Sequence, residues 1–178
     1  LALWILALAA CSPGADLPPV PAAYDGPYLL GPGDDIRMIT FGDATLTGTF
    51  SVDESGRVGL PLLGPVKASG LTTEQLQTDI IDRLKSRKLY NNPSVVIEVA
   101  GRRPVFVLGE VQKPGGFPFQ PDMTVRGAVA LAGGYTYRAF KARVEIVRKT
   151  GAGRVTGQAA PDALLQPGDE VTVLERHF

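Results

Sequence analysis

An α+β fold in two small consecutive domains is predicted from three features of the sequence. Twenty-one glycines and fifteen prolines in 178 residues point to short strands joined by tight turns, since Gly supplies positive φ and Pro presets a turn. One segment, Thr72 to Lys88, carries a complete helix-start signature, and a second, Thr124 to Ala132, a shorter one. Alternating apolar and polar runs flank both. At 44% hydrophobic and 20% charged, the composition is that of a globular chain. Its length holds one ordinary domain or two small ones.

The chain opens on ten apolar residues, Leu1 to Ala10. As helix they cover roughly 15 Å, about half a bilayer core, which fits the hydrophobic region of a secretory signal and not a span. The run Leu8-Ala9-Ala10-Cys11 resembles a bacterial lipobox, in which small residues admit the peptidase and the thiol is diacylglycerated before cleavage. Cys11, the sole cysteine, is therefore the expected lipidation site. A buried apolar helix end with an incidental cysteine is the other reading. No Met, Lys or Arg precedes Leu1, as expected of an incomplete start. Ser12 stands where an Asp holds lipoproteins at the inner membrane, and by that resemblance it points to the outer membrane. Residues 11–27 hold Pro13, Pro18, Pro19, Pro21 and Pro27 and are expected to be an extended, mobile tether.

The first folded domain is expected over residues 28–100. Tyr28 to Leu30 reads as a short strand, and Gly31-Pro32-Gly33-Asp34 as a type II turn with Pro second and Gly third. Strands follow at Asp35 to Phe41, Gly48 to Val52 and Arg57 to Leu60, with a turn at Asp53-Glu54-Ser55-Gly56. Pro61 and Pro65 bracket a bend before Val66. Thr72 is the N-cap of the helix, Gln75 its capping-box partner, and Leu71 with Leu76 the hydrophobic staple. Leu76, Ile80, Ile81 and Leu84 form one apolar stripe. Asn91-Asn92-Pro93 ends the helix region, and Ser94 to Ala100 alternates with Val95, Ile97 and Val99 on one face.

The second domain is expected over residues 101–178. Pro104 to Glu110 is a strand, Lys113 to Gly116 a turn, and Phe117 to Gln120 a short return strand. The helix over Thr124 to Ala132 faces the core with Val125, Ala128, Val129 and Ala132, and Gly133-Gly134 ends it. Ala142 to Lys149 is a strand that turns back at Gly151 to Gly153. Gln166-Pro167-Gly168-Asp169 is a second type II candidate, and Glu170 to Leu174 closes the sheet. Strand, strand, helix and then strands is the order of a β-grasp. The stretches Gly31 to Ile36 and Gln166 to Val171 echo each other as shared turn chemistry, not as a long repeat.

Charge and residue inventory exclude several functions. Lys plus Arg equals Asp plus Glu, 18 against 18, so bulk attraction to nucleic acid has no support. His177 is the only histidine, so apart from what one ring could do no His-dependent triad or His-rich metal site can be built. Asp34 and Asp35 are adjacent and point to opposite faces, so a turn carboxylate capping amides is the better reading than an acid/base pair. Gly133-Gly134 lacks the spacing and lysine of a phosphate loop. Arg102-Arg103 and the basic run Lys141 to Arg148 face either an acidic glycan or, more simply, solvent. Trp4, the sole tryptophan, lies in the signal. No catalytic residue, cofactor or metal ligand is assigned.

Taken in order, several runs resemble the polysaccharide biosynthesis/export (outer-membrane, Wza-like) lipoprotein family. They are Leu30-Gly31-Pro32-Gly33-Asp34, Val52-Asp53-Glu54-Ser55-Gly56, Leu60 to Val66 and Gly70-Leu71-Thr72. The second domain is similar to the family's SLBB (soluble ligand-binding β-grasp) domain through Val107 to Val111, Lys113-Pro114-Gly115, Ala130 to Gly134 and Pro167-Gly168-Asp169 with Glu175 to Phe178. The resemblance implies a small export domain of sheet plus one helix followed by the β-grasp. It implies a lipid-anchored homo-oligomeric ring through which capsule or exopolysaccharide leaves the cell. Large members add another SLBB domain and a C-terminal pore helix. A chain that stops at Phe178 is expected to be a short form that needs an outer-membrane β-barrel partner and an inner-membrane polysaccharide co-polymerase. A monomeric periplasmic module binding a glycan or small ligand is the second reading, and a carbohydrate-processing enzyme the third.

Overall fold

A computed structural model describes residues 13–151 and 153–176. Trp4, the lipidation candidate Cys11, Ser12 and His177 lie outside the described residues. The chain divides into two compact units, one of Asp25–Arg103 and one that joins residues 13–24 to residues 104–176.

In the first unit, β1 (Asp35–Thr40) lies between β2 (Gly48–Ser51) and β5 (Val95–Gly101), antiparallel to both. Alternation puts Ile36 and Met38 inward, where they meet Val95 and Ile97. Helix α1 (Thr73–Ser86) covers that face with Leu76, Ile80 and Leu84, and Ile81 packs at its margin. The capping box forms as the residue types require: Thr72 accepts from the Gln75 amide while Gln75 reaches back to the Thr72 amide. An Asp79–Arg83 pair one turn apart sits on the outer flank. A separate hairpin joins β3 (Arg57–Leu60) to β4 (Gly64–Lys67). Where the two prolines suggested only a bend, Leu62 takes a left-handed conformation and reverses the chain tightly enough for pairing. Tyr28 to Leu30, expected as a strand, joins no sheet. Its Leu30 instead exchanges backbone hydrogen bonds with Gly70 and Leu71.

The second unit is a five-stranded sheet in the order β7-β6-β10-β8-β9. Its strands are β6 (Val105–Gly109), β7 (Gly115–Phe117), β8 (Val144–Thr150), β9 (Gly153–Ala159) and β10 (Glu170–Val173). The central pair β6–β10 is parallel and every other pairing antiparallel. Helix α2 (Val125–Leu131) buries Val125, Ala128 and Val129, with Ala132 just beyond, and Thr124 caps its start. The return strand lies two residues earlier than expected. Gly115 and Gly116 enter the ladder because the Phe106 ring lies over Gly116, where a Cβ would sit 3.1 Å from it.

Residues 13–24 correct the expectation of a free tether. Pro18 accepts from the Gln158 amide, Val20 donates back to the Gln158 carbonyl, and the Gln158 side chain donates to Leu17. Pro19 thereby pairs in parallel with Gln158, so the segment extends the sheet past β9. Upstream, Gly14 lies against Leu174 and Arg143. Proline content signals extended backbone, and extended backbone is also what a sheet edge accepts.

Candidate functional site

Two turns of like design each hold a buried carboxylate. In Gly31-Pro32-Gly33-Asp34, Gly33 takes φ 90°, and Asp34 donates its amide to Gly31. The Asp34 side chain accepts from the Gly31 amide at 2.8 Å, the Tyr28 hydroxyl at 2.7 Å and the Arg103 amide at 3.1 Å. In Gln166-Pro167-Gly168-Asp169, Gly168 takes φ 87°, and the Asp169 side chain accepts from the Gln166 amide at 2.7 Å. Each carboxylate then meets one arginine: Asp34 meets Arg103 Nε at 3.2 Å, and Asp169 meets Arg148 Nη2 at 2.6 Å. The echo seen in the sequence is thus a repeated device that fixes the chain just before β1 and just before β10.

The arginine differs between the two turns. Arg148 is 2% exposed and Asp169 1%. Arg148 occupies an inward position of β8, in register with Val144 and Ile146. Its Nε also bonds Asp169, Nη1 donates to Pro21 and Nη2 to Leu164. A buried guanidinium is tolerated because its donors find partners. It ties together β8, the turn before β10, the loop at Leu164 and the N-terminal segment. The expectation that this run is a solvated basic face fails at Arg148 for that reason. Arg102 and Arg103 are likewise engaged, the first stacked 5.0 Å over the Tyr28 ring. Burial, reinforced by the hydrogen bond and charge of Asp34, pushes the Tyr28 hydroxyl up to about 12.

No acid/base pair is assembled at Asp34 and Asp35. The first is spent on the turn and the second accepts from Ser51 at 2.6 Å. Among the described residues no cluster of three or more His, Cys, Asp or Glu side chains converges as a metal site. None of the described helices is long and apolar enough to cross a membrane.

What stands open is surface. On the outer face of the three-stranded sheet, Ile39 lies opposite Val96, Arg37 lies opposite Glu98, and Phe41 follows β1 with 87% of its surface exposed. In the second unit the loop from Tyr135 to Arg143 interleaves aromatic and basic residues. Lys141 sits 5.8 Å over Tyr135, Arg143 sits 5.8 Å over Phe140, Arg138 pairs with Glu175, and Tyr137 is 81% exposed. The sequence pattern YTYRAFKAR carried that signal, but its basic end alone was singled out.

Comparison with known proteins accounts for both units. Residues 22–100 match the family described as polysaccharide biosynthesis/export protein. Residues 104–159 match the SLBB domain. The chain thus carries a polysaccharide biosynthesis/export domain followed by an SLBB domain. Among curated proteins it is similar to the exopolysaccharide production protein ExoF of Rhizobium meliloti (strain 1021), 40% identical over 94 residues, covering 51% of this chain and 22% of that protein. It is also similar to the polysialic acid transport protein KpsD of Escherichia coli, 34% identical over 95 residues, covering 52% of this chain and 17% of that protein. The chain thus matches about a fifth of the length of these relatives. An α+β chain with the export domain first and the SLBB β-grasp second agrees with the fold class expected from the sequence.

Proposed function

We propose that this protein is a ring component of a capsule or exopolysaccharide export channel, anchored through lipid on Cys11 to the outer membrane and facing the periplasm. The observation that carries this reading is the tandem match: an export domain and an SLBB domain follow one another in a single chain. Relatives named for exopolysaccharide production and polysialic acid transport support the same substrate class. The proposed partners are the polysaccharide in transit, further copies of the chain, an outer-membrane β-barrel protein and an inner-membrane polysaccharide co-polymerase. Within such a channel the role is passage and not bond making, and no residue is assigned to catalysis.

Deletion of the protein tests the central claim. Polymer should still be made by isolated membranes while none reaches the medium or cell surface. Loss of polymerising activity without a polar effect on neighbouring genes would overturn it. Electron microscopy of the detergent-extracted protein should show closed rings, whereas a stable monomer in solution identifies a binding module instead. Mass spectrometry of the mature N-terminus should show a diacylglyceryl group on Cys11, and Cys11→Ser should leave a precursor uncleaved.

A further inference from the structure

The described chain begins against one particular surface of the SLBB unit. Gly14 lies against Leu174, whose Cδ1 would be 2.8 Å from an added Cβ, and beside the stem of Arg143. Phe140 donates its amide to Leu174, Ala139 bridges to Glu175, and Arg143 stacks on Phe140. The start of the docked segment and the aromatic-basic loop are therefore one neighbourhood. Gly14 lies three positions after Cys11, a reach of about 10 Å at full extension. A lipid on Cys11 cannot leave this neighbourhood far from the bilayer.

The loop has the chemistry of a membrane contact. Tyr137 projects an amphipathic ring into solvent, as interfacial tyrosines do. Of the acidic groups nearby, Glu175 is taken up by Arg138, Glu110 accepts from Thr136, and Asp16 lies exposed on the docked segment. Among the described residues, Lys141 and Arg143 have no carboxylate at ion-pair distance. Two cations without carboxylate partners beside an exposed aromatic favour an anionic headgroup layer, to which each basic residue adds attraction within a Debye length.

We propose that the loop Tyr135 to Arg143, together with the docked N-terminal segment, is a membrane-facing surface that seats the SLBB unit on anionic lipid. This deepens the lipid-anchor reading, on which it rests for the anchor itself. The segment acts as a short rigid strut, so the anchor fixes which face of the unit meets the bilayer.

The test uses the lipidated full chain in vesicles of phosphatidylethanolamine and phosphatidylglycerol, with a nitroxide on Ala142→Cys, an exposed position inside the loop. With Cys11 acylated, the new thiol is unique. The label should collide with oxygen dissolved in lipid more than with an aqueous nickel complex, and this preference should fall in phosphatidylcholine vesicles. Lys141→Gln should lower the docked-to-free ratio about fivefold, the effect of one basic residue near an anionic surface. A label as open to nickel on vesicles as in free solution overturns the proposal. So does protection only on adding an acidic oligosaccharide, which would make the loop a glycan surface. If the mature protein proves unmodified at Cys11, the anchor reading fails separately. The chain, now with Cys11→Ser so that the label stays at residue 142 alone, is then held by an N-terminal His-tag on a chelating lipid, where docking of the label supports the loop proposal and its absence overturns it.

Discussion

Arg148→Met removes one half of a buried ion pair and leaves Asp169 charged in a site 1% exposed. Asp169 would keep only the Gln166 amide of its former partners. Breaking a buried pair from one side costs about 3–5 kcal/mol, because the remaining charge is uncompensated. Arg148 also donates to Pro21 and Leu164, so those carbonyls lose their partners in the same step. Hydrogen exchange of the β8 and β9 amides reads the loss directly. Exchange through opening of the sheet should speed up by roughly a hundredfold to several thousandfold, at about 1.36 kcal/mol per factor of ten. Arg148→Met with Asp169→Asn removes both charges while the Asn oxygen still accepts from Gln166. The double variant should therefore be more stable than either single one. Singles that cost less than about 1 kcal/mol, as exposed pairs do, or a double as weak as their sum, would refute this account.

Three further outcomes follow from the geometry. Gly109 adopts φ 78° and a Cβ there would run into the Val173 carbonyl, so Gly109→Ala should cost at least about 1–3 kcal/mol and part β6 from β10, read by urea unfolding. Gly157 needs no positive φ, but its Cβ would lie 2.7 Å from Pro18 O and Val20 N; Gly157→Ala should expose residues 13–24 to protease while the sheet stays folded. Hydrogen bonds from Thr45, then Tyr90, hold the Asp43 carboxyl at about 2, against an ordinary 3.8. That contribution to stability is present above pH 4 and is lost as pH falls toward 2, and Tyr90→Phe should move the Asp43 titration upward in a carboxyl NMR experiment.

Local chemistry was readable wherever cause and effect lie within a few residues. Thr72 and Gln75 announced α1, Thr124 announced α2, and each Pro-Gly-Asp turn carries its conformational need in its own letters. What escaped were pairings between distant segments. Nothing near Pro18 says that Gly157 leaves a slot for it, and proline content alone does not distinguish a loose strand from a docked one. Arg148 left a partial trace. Counting by twos from Val144 through Ile146 reaches an arginine on the core face, and the likeness of the two turns supplies Asp169 as its partner. Polarity overrode that count, because a lone arginine belongs to solvent unless a carboxylate is known to await it. Of the surfaces, Phe41 and Tyr137 are exposed for reasons that depend on what the fold leaves uncovered, so their residue types did not reveal it.

The sheet of the second unit ends differently at its two sides, and that bears on crowding. On one side β7 offers only three residues to a stranger. On the other, β9 is longer, and at Gln158 its outer N–H and C=O are taken by the N-terminal segment, in which Val20 is the donor and neither Pro19 nor Pro21 has an N–H to give. A neighbouring chain arriving at that end of the border meets a ladder already occupied and flanked by prolines. Molecules gathered by lipid on a membrane meet at concentrations far above those in solution, where open edges would zip copies into fibres. At that end of the border, contact between copies is left to side chains. That kind of contact can choose one angle and close on itself, whereas strand-to-strand addition continues without end.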